Sequence, residues 1–212
     1  MQGSMFRFLT RQNGVVKLSD GKHLLRMPRY ADFEAWWALR RESRGFLQPW
    51  EPTWSADDLT ERSFRARVNR YEQEYSAGTS ITLFIFGETD ELMGGITIGN
   101  IRRGASQSCM IGYWMGERFS GQGHMKAALK LTVHHIFDRL QLHRIEAACI
   151  PENHRSIGLL EGSGFRREGM LRDYLKIDGR WRDHVLLARL ATDDIGKDLI
   201  DDSGLYRANS HA

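Results

Sequence analysis

The sequence predicts a mixed α/β fold built on one sheet, and three observations predict it. Three strand-like runs follow one another between residues 80 and 115 with no helical run between them, which marks an antiparallel meander. A helical run over residues 121 to 139 then separates a strand ending at Met115 from one ending at Ile150, a βαβ unit whose two strands must lie parallel. Two long runs around Asp178-Gly179 form the clearest hairpin in the chain.

Each element follows from its residues. The leading MQGSMFRFLTRQNG, residues 1 to 14, has no sustained period and is expected to be mobile. GVVKLSDGKHLLRMP holds two short apolar runs around the turn dipeptide Asp20-Gly21. RYADFEAWWALRRESRGF places Phe33, Trp36, Trp37 and Leu39 on one helical stripe, with Gly45 as its stop. A second helix is expected from about Asp57 to Ser76, stopped by Ala77-Gly78. Between the two, FLQPWEPTW is rich in tryptophan and proline and reads as a packed loop, not a helix.

ITLFIF, LMGGITIGNIRRG and QSCMIGYWMG are the three meander strands. Met125, Ala128, Leu129, Thr132, Val133, Ile136 and Phe137 then recur at three- and four-residue steps, a helix feeding the strand HRIEAACI. Asn153 is placed to cap a shorter helix over SIGLLEGS, with Gly162 and Gly164 beyond it. EGMLRDYLKI and RWRDHVLLARL are the hairpin arms. The organisation is thus one domain over residues 15 to 190, followed by an acidic tail, 191 to 212, expected to be loose.

Composition narrows the class. With 41% hydrophobic and 10% aromatic residues in 212, the chain can bury a full core. No window approaches the roughly 18 unbroken apolar residues of a membrane span, and the N-terminus lacks a secretory pattern, so a cytoplasmic protein without membrane contact is expected. Cys109 and Cys149 each lie within an apolar run and read as buried, reduced thiols rather than a disulfide or metal pair. The tail carries −3 and leaves +6 for the rest of a chain whose net charge is +3. That basic body suits an anionic cofactor or a nucleoprotein partner, and equally a solvated surface.

The stretch ERFSGQGHMKAAL carries the chemistry. A helix N-terminus exposes unpaired N–H groups and the positive end of the helix dipole, and Gly121 and Gly123 let backbone approach an anion with no Cβ in the way. A diphosphate suits such a turn. The spacing excludes a P-loop, which needs Gly-Lys-Ser/Thr, and a dinucleotide fingerprint, which needs a third glycine. Arg118-Phe-Ser-Gly121-Gln-Gly123 instead fits Q/R-x-x-G-x-G/A, the signature with which GNAT acetyltransferases hold the diphosphate of acetyl-CoA.

The chain therefore resembles the GNAT superfamily. NIRRGASQSCMIGYWMGERFSGQGHMKAAL, HRIEAACIPENHRSIGLLEGSGFRREG, DYLKIDGRWRDHVLLARL and, upstream, FLQPWEP look like the RimJ-type ribosomal-protein-alanine N-acetyltransferases. The match spans most of residues 22 to 190. It implies the acyl-CoA N-acyltransferase fold, with the two parallel strands splayed around the cofactor's pantetheine arm. By resemblance, backbone groups of Ile111, Gly112, Tyr113, Trp114 and Met115 pair with that arm. Backbone N–H groups of Gly121, Gln122, Gly123, His124 and Met125 bind the diphosphate, with Arg118 nearby and no task for the His124 and Met125 side chains. Asn153 lies along the arm, and Ser156 lies near the thiol, as a donor to the leaving sulfur. Both can also serve simply to cap a helix.

Two departures bear on the mechanism. Other N-terminal acetyltransferases of this fold place a tyrosine acid seven residues after the Asn, where this chain has Leu160, and a glutamate base five residues before it, where this chain has Ala148. Glu146, two residues earlier on the same strand face, is a candidate base, with a structural ion pair or a bound water as the alternatives. Tyr113 and Trp114 must face opposite sides of their strand, and the pattern does not say which faces the substrate. The Phe46 to Trp54 loop is a candidate lining of the acceptor groove. The histidines show no ligand spacing, and no metal is expected.

The function implied by the resemblance is direct transfer of acetyl from acetyl-CoA, in a ternary complex, to the N-terminal α-amine of a protein. The expected acceptor is an alanine of a small-subunit ribosomal protein, with association with ribosomal particles as a further expectation and no direct DNA binding. Two alternatives stand beside it: acetylation of a small amine such as an antibiotic, polyamine or amino acid derivative, and a ribosome-assembly binding module retaining a CoA-binding fold.

Overall fold

In the computed structural model, residues 16 to 194 are described. The expectations for residues 1 to 14 and for the tail beyond 194 lie outside them. Eight strands form one sheet in the order β1-β2-β3-β4-β5-β6-β8-β7. These are β1 (Lys17–Ser19), β2 (Leu24–Arg26), β3 (Ile81–Phe86), β4 (Leu92–Arg102), β5 (Ser108–Met115), β6 (Arg144–Cys149), β7 (Arg166–Ile177) and β8 (Arg180–Leu190). The β5–β6 pair is parallel and every other neighbouring pair is antiparallel. The predicted meander, crossover and hairpin are all present. Asp178 and Gly179 both take positive φ at the tip of the β7–β8 hairpin, the turn geometry that suits the twist of the arms.

The helices are α1 (Phe33–Glu42), α2 (Arg44–Leu47), α3 (Glu61–Ser76), α4 (His124–His134) and α5 (His154–Glu161). Four expectations need correction. Gly45 does not stop the first helix; α1 ends at Glu42, with Ser43 as its C-cap, and Gly45 lies inside α2. The FLQPWEPTW segment begins in α2 and continues as a tight helical turn over Gln48–Trp50, since proline is tolerated in a first turn, whose N–H groups lack helical partners anyway. The second helix starts at Glu61, because the Thr60 hydroxyl accepts from the Ser63 N–H and fixes the start there. The crossover helix starts at His124, after a left-handed Gly123, and finishes as a π-helical turn over His135–Arg139. Past Leu190, Ala191–Asp194 form one more helical turn, with the Ala191 N–H donating to the His143 carbonyl at 2.9 Å.

The two sheet faces carry different helices, and this decides where each site residue points. Trp36 of α1 stacks near Phe64 of α3 with ring centroids 4.8 Å apart, and Phe64 meets Phe84 of β3 at 6.3 Å. Trp114 of β5 lies edge-on to Phe84 and under the Arg40 guanidinium of α1, so it belongs to this face. Strand alternation sends Tyr113 to the other face, where its phenol reaches α5. The core joins β3, β4 and β6 to α4 through fully buried side chains including Leu83, Ile96, Leu129 and Ile145. Among the described residues no helix is long and apolar enough to cross a membrane.

Candidate active site

Two strands that begin as neighbours part at the centre of the sheet. β5 and β6 pair at Ser108–Arg144, Cys109–Ile145 and Met110–Glu146, and their register ends at that rung. Beyond it β5 continues to Met115 paired only with β4, and β6 continues to Cys149 paired only with β8. Ile111, Gly112, Tyr113, Trp114 and Met115 therefore present an unladdered edge toward β6. Backbone N–H and C=O groups seek partners, so this edge can pair with an extended, amide-bearing chain laid along it. Gly112 adds open space, with no atom within 4 Å of where a Cβ would stand.

The glycine turn follows directly. Gly121 (φ 77°) and Gly123 (φ 87°) are left-handed, a conformation costly for other residues, and neither has an atom within 4 Å of its missing Cβ. The Gln122 amide donates to the Arg118 carbonyl at 2.6 Å and closes the turn. Arg118 is exposed beside Glu42 at 3.3 Å. Met125 is buried in the core, while His124 opens α4. The His124 ring does have a partner: its Nδ1 lies 3.0 Å from His23 Nε2, and His23 is held by Asp20. This turn and the open strand edge fit a long ligand with an anionic end, which is the shape of acetyl-CoA.

At the mouth of the splay stands a polar cluster. Asn153 caps α5, its side-chain oxygen accepting from the Ser156 N–H at 3.1 Å. The Tyr113 phenol lies 2.6 Å from the Ser156 hydroxyl, and the Cys149 thiol donates to that hydroxyl at 3.3 Å. Burial pushes the Tyr113 phenol above its ordinary value, as it does the Cys149 thiol, so both stay protonated near neutrality. Both cysteines are free and buried, as their surroundings predict. The Tyr113 phenol and the Cys149 thiol are the contributions that sequence reasoning missed. The only available signal was the half-apolar IGYW pattern, which leaves the direction of the tyrosine open.

Glu146 occupies the last paired rung, on the Trp114 face. Arg102 donates to one of its oxygens at 2.9 Å and Arg144 to the other at 2.8 Å, and Arg144 reaches on to Glu168. It borders a groove of about 720 Å³ whose walls include Met110, Asn100, Glu74, Tyr174 and Leu186. The groove thus borders the rung where the splay begins. Leu160 and Ala148, the positions where the fold's other N-terminal acetyltransferases carry acid and base, are a buried and a half-buried apolar side chain.

The Phe46 to Trp54 loop lies over this same face. Arg40 binds Glu51 through both nitrogens, at 2.7 and 2.5 Å, and stacks on Trp54 and Trp114. Trp54 donates to Glu51 at 2.8 Å, and the Glu51 carbonyl accepts from Asp178 in the hairpin tip. Arg155 of α5 sits over Phe46. The loop therefore ties α1, the splay and the hairpin tip together.

Residues 22–166 match the acetyltransferase (GNAT) domain. The chain belongs to the GNAT acetyltransferases. It is an acetyl-CoA-dependent N-acetyltransferase with the mixed sheet of that family. It is 35% identical over 187 residues to the [ribosomal protein uS5]-alanine N-acetyltransferase of Escherichia coli, covering 88% of this chain and 91% of that one. Among solved structures it resembles Mycobacterium smegmatis RimJ in complex with CoA-disulfide, with a TM-score of 0.77 and 34% identity over 87% of this chain and 94% of that one. The ribosomal-protein-S5-alanine acetyltransferase of Vibrio fischeri superposes with a TM-score of 0.78 at 27% identity, covering 84% of this GNAT chain and 98% of its own.

Proposed function

We propose that this enzyme acetylates the N-terminal α-amine of a ribosomal protein in the cytoplasm, with an alanine-initiated small-subunit protein as the acceptor. The observation that carries the reading is the meeting of two openings at one rung. The glycine turn and the free edge of β5 lead to Ser156 from one side, and the groove reaches Met110 and Glu146 from the other. A thioester and a peptide N-terminus entering by these routes would meet without a covalent enzyme intermediate. The name of the E. coli relative supports the alanine acceptor.

In this reading Ser156 donates a hydrogen bond to the sulfur as the C–S bond breaks. The backbone of Ile111 to Met115 orients the thioester, and the turn from Gly121 to Met125, with Arg118, holds the diphosphate. Asn153 positions Ser156 and lies along the pantetheine arm. A free α-amine titrates near about 7.7–8.0, so a useful fraction is already neutral and only a weak base is needed. With both oxygens of Glu146 held by guanidinium donors, water takes the amine proton and Glu146 keeps the groove's acidic end in place.

The test is steady-state thiol release from acetyl-CoA with short peptides differing in their first residue, alongside small amines. Turnover favouring an alanine or serine start is expected. Turnover confined to small amines would replace the acceptor class, and cofactor binding without turnover on any peptide, small amine or intact ribosomal protein would point to a binding module.

A further inference from the structure

We infer that Tyr113 is a positioning residue that forces Ser156 to act as a hydrogen-bond donor toward the splay. The inference deepens the reading of Ser156 given above and rests on it. A serine hydroxyl has one hydrogen to give and two lone pairs to fill. Here three elements converge on it: the Tyr113 phenol from β5 at 2.6 Å, the Cys149 thiol from the end of β6 at 3.3 Å, and the Asn153 cap that pins the Ser156 backbone at the start of α5. The Tyr113 phenol also lies 3.3 Å from the Ser156 carbonyl. The 2.6 Å contact could be donated from either oxygen, and we assign its hydrogen to the phenol, the more acidic hydroxyl and the poorer acceptor of the two. With the phenol and the thiol both donating, the two lone pairs of the Ser156 oxygen are used. Its own hydrogen has one direction left, into the space between β5 and β6.

This arrangement supplies what Leu160 cannot. The α5 position where a tyrosine acid would stand is Leu160, packed into the core. The tyrosine of this site comes instead from the strand, and it acts through the serine. During transfer the amine lone pair forms the C–N bond while the C–S electrons pass to sulfur. The thiolate leaves under the Ser156 hydrogen bond, and the amine's surplus proton goes to water. Neither Tyr113 nor Ser156 has to lose a proton for the step to balance. Their contribution is a dipole already aimed where negative charge develops, which costs no reorganisation at the moment of reaction.

The experiment compares Tyr113→Phe, Cys149→Ala, Ser156→Ala and the double variant Tyr113→Phe/Ser156→Ala by steady-state kinetics, acetyl-CoA binding and thermal melting. Tyr113→Phe keeps the ring and is expected to lower kcat about tenfold, with the KM for acetyl-CoA within about twofold of the parent. Cys149→Ala is expected to lower kcat about two- to threefold. The double variant should be no slower than Ser156→Ala alone, because the phenol has no route to the sulfur except through that hydroxyl. Full kcat in Tyr113→Phe while Ser156→Ala is slow would overturn the positioning role and leave Ser156 as the donor. Losses that multiply in the double variant would also overturn it, by showing that Tyr113 acts on its own. Full turnover in Ser156→Ala would remove the donor reading itself, and this inference with it. Should Tyr113→Phe melt early, Cys149→Ala decides alone: an unchanged kcat there counts against a filled lone pair.

Discussion

The proposed donor role of Ser156 and the cap of α5 fall on one residue, because the Asn153 side chain that orders the helix also holds the Ser156 backbone in place. Ser156→Ala is expected to lower turnover by about tenfold or more while acetyl-CoA still binds, measured by kinetics beside calorimetry; unchanged turnover would end its role as donor. Glu146→Gln separates base from groove wall. A general base contributes roughly a hundredfold or more to the rate, whereas a carboxylate held by Arg102 and Arg144 should show less than about tenfold loss, most of it in the acceptor KM. Gly94 marks a different constraint. A Cβ there would lie 2.4 Å from the Trp114 carbonyl oxygen, a backbone atom that cannot step aside, so Gly94→Ala should cost about 2 kcal/mol, read from the denaturant midpoint.

At the scale of elements, the loop from Phe46 to Trp54 is fixed by one charged side chain from α1. Arg40 is nearly buried, bonded to Glu51 on one side and stacked between Trp54 and Trp114. Removing it leaves the Glu51 carboxylate half-buried without its guanidinium partner and frees the loop from the sheet. Arg40→Ala should therefore raise the acceptor KM several-fold while leaving the KM for acetyl-CoA close to that of the parent, because the glycine turn lies elsewhere. An equal rise in both would mean that the loop supports the fold at large. The boundaries of α3 and α4 teach a related lesson. Hydrophobic period located both helices, but the starts moved to Glu61 and His124, because a cap or a left-handed glycine, rather than the apolar stripe, decides where helical hydrogen bonding begins.

For the molecule as a whole, acid should be destabilising in a definable window. His135 begins the π turn after α4, and burial, followed by the charges of Arg139 and His134, lowers its pKa. Its Nε2 is buried with no hydrogen-bond partner. A lowered folded-state value means that the unfolded chain binds the proton more readily. The stabilisation is present above the ordinary histidine value of about 6.5 and is lost as pH falls from there through the folded value. Urea midpoints should fall between about pH 7.5 and 5.5. His135→Gln should flatten that slope, and an unchanged slope would assign it to other groups. Glu168 adds to the loss at lower pH, since its hydrogen bonds to Arg144 hold the carboxyl below its usual value.

Besides the family, which resemblance supplied, the sequence by itself determined the meander, the crossover, the hairpin, the glycine turn ahead of α4 and the Asn153 cap. Each of these rests on local chemistry: period, positive-φ residues, and side chains bonding within three or four positions. What only the tertiary structure decided were directions and long-range meetings. Alternation says that Tyr113 and Trp114 point oppositely, but the helices covering each face decide that the tyrosine reaches Ser156, 43 positions away, and that the tryptophan lies under Arg40. Glu146 is likewise an acid on a strand until Arg102 and Arg144 close on it. A strand's period of two fixes relative orientation only. The absolute sense comes from packing, which no local window contains.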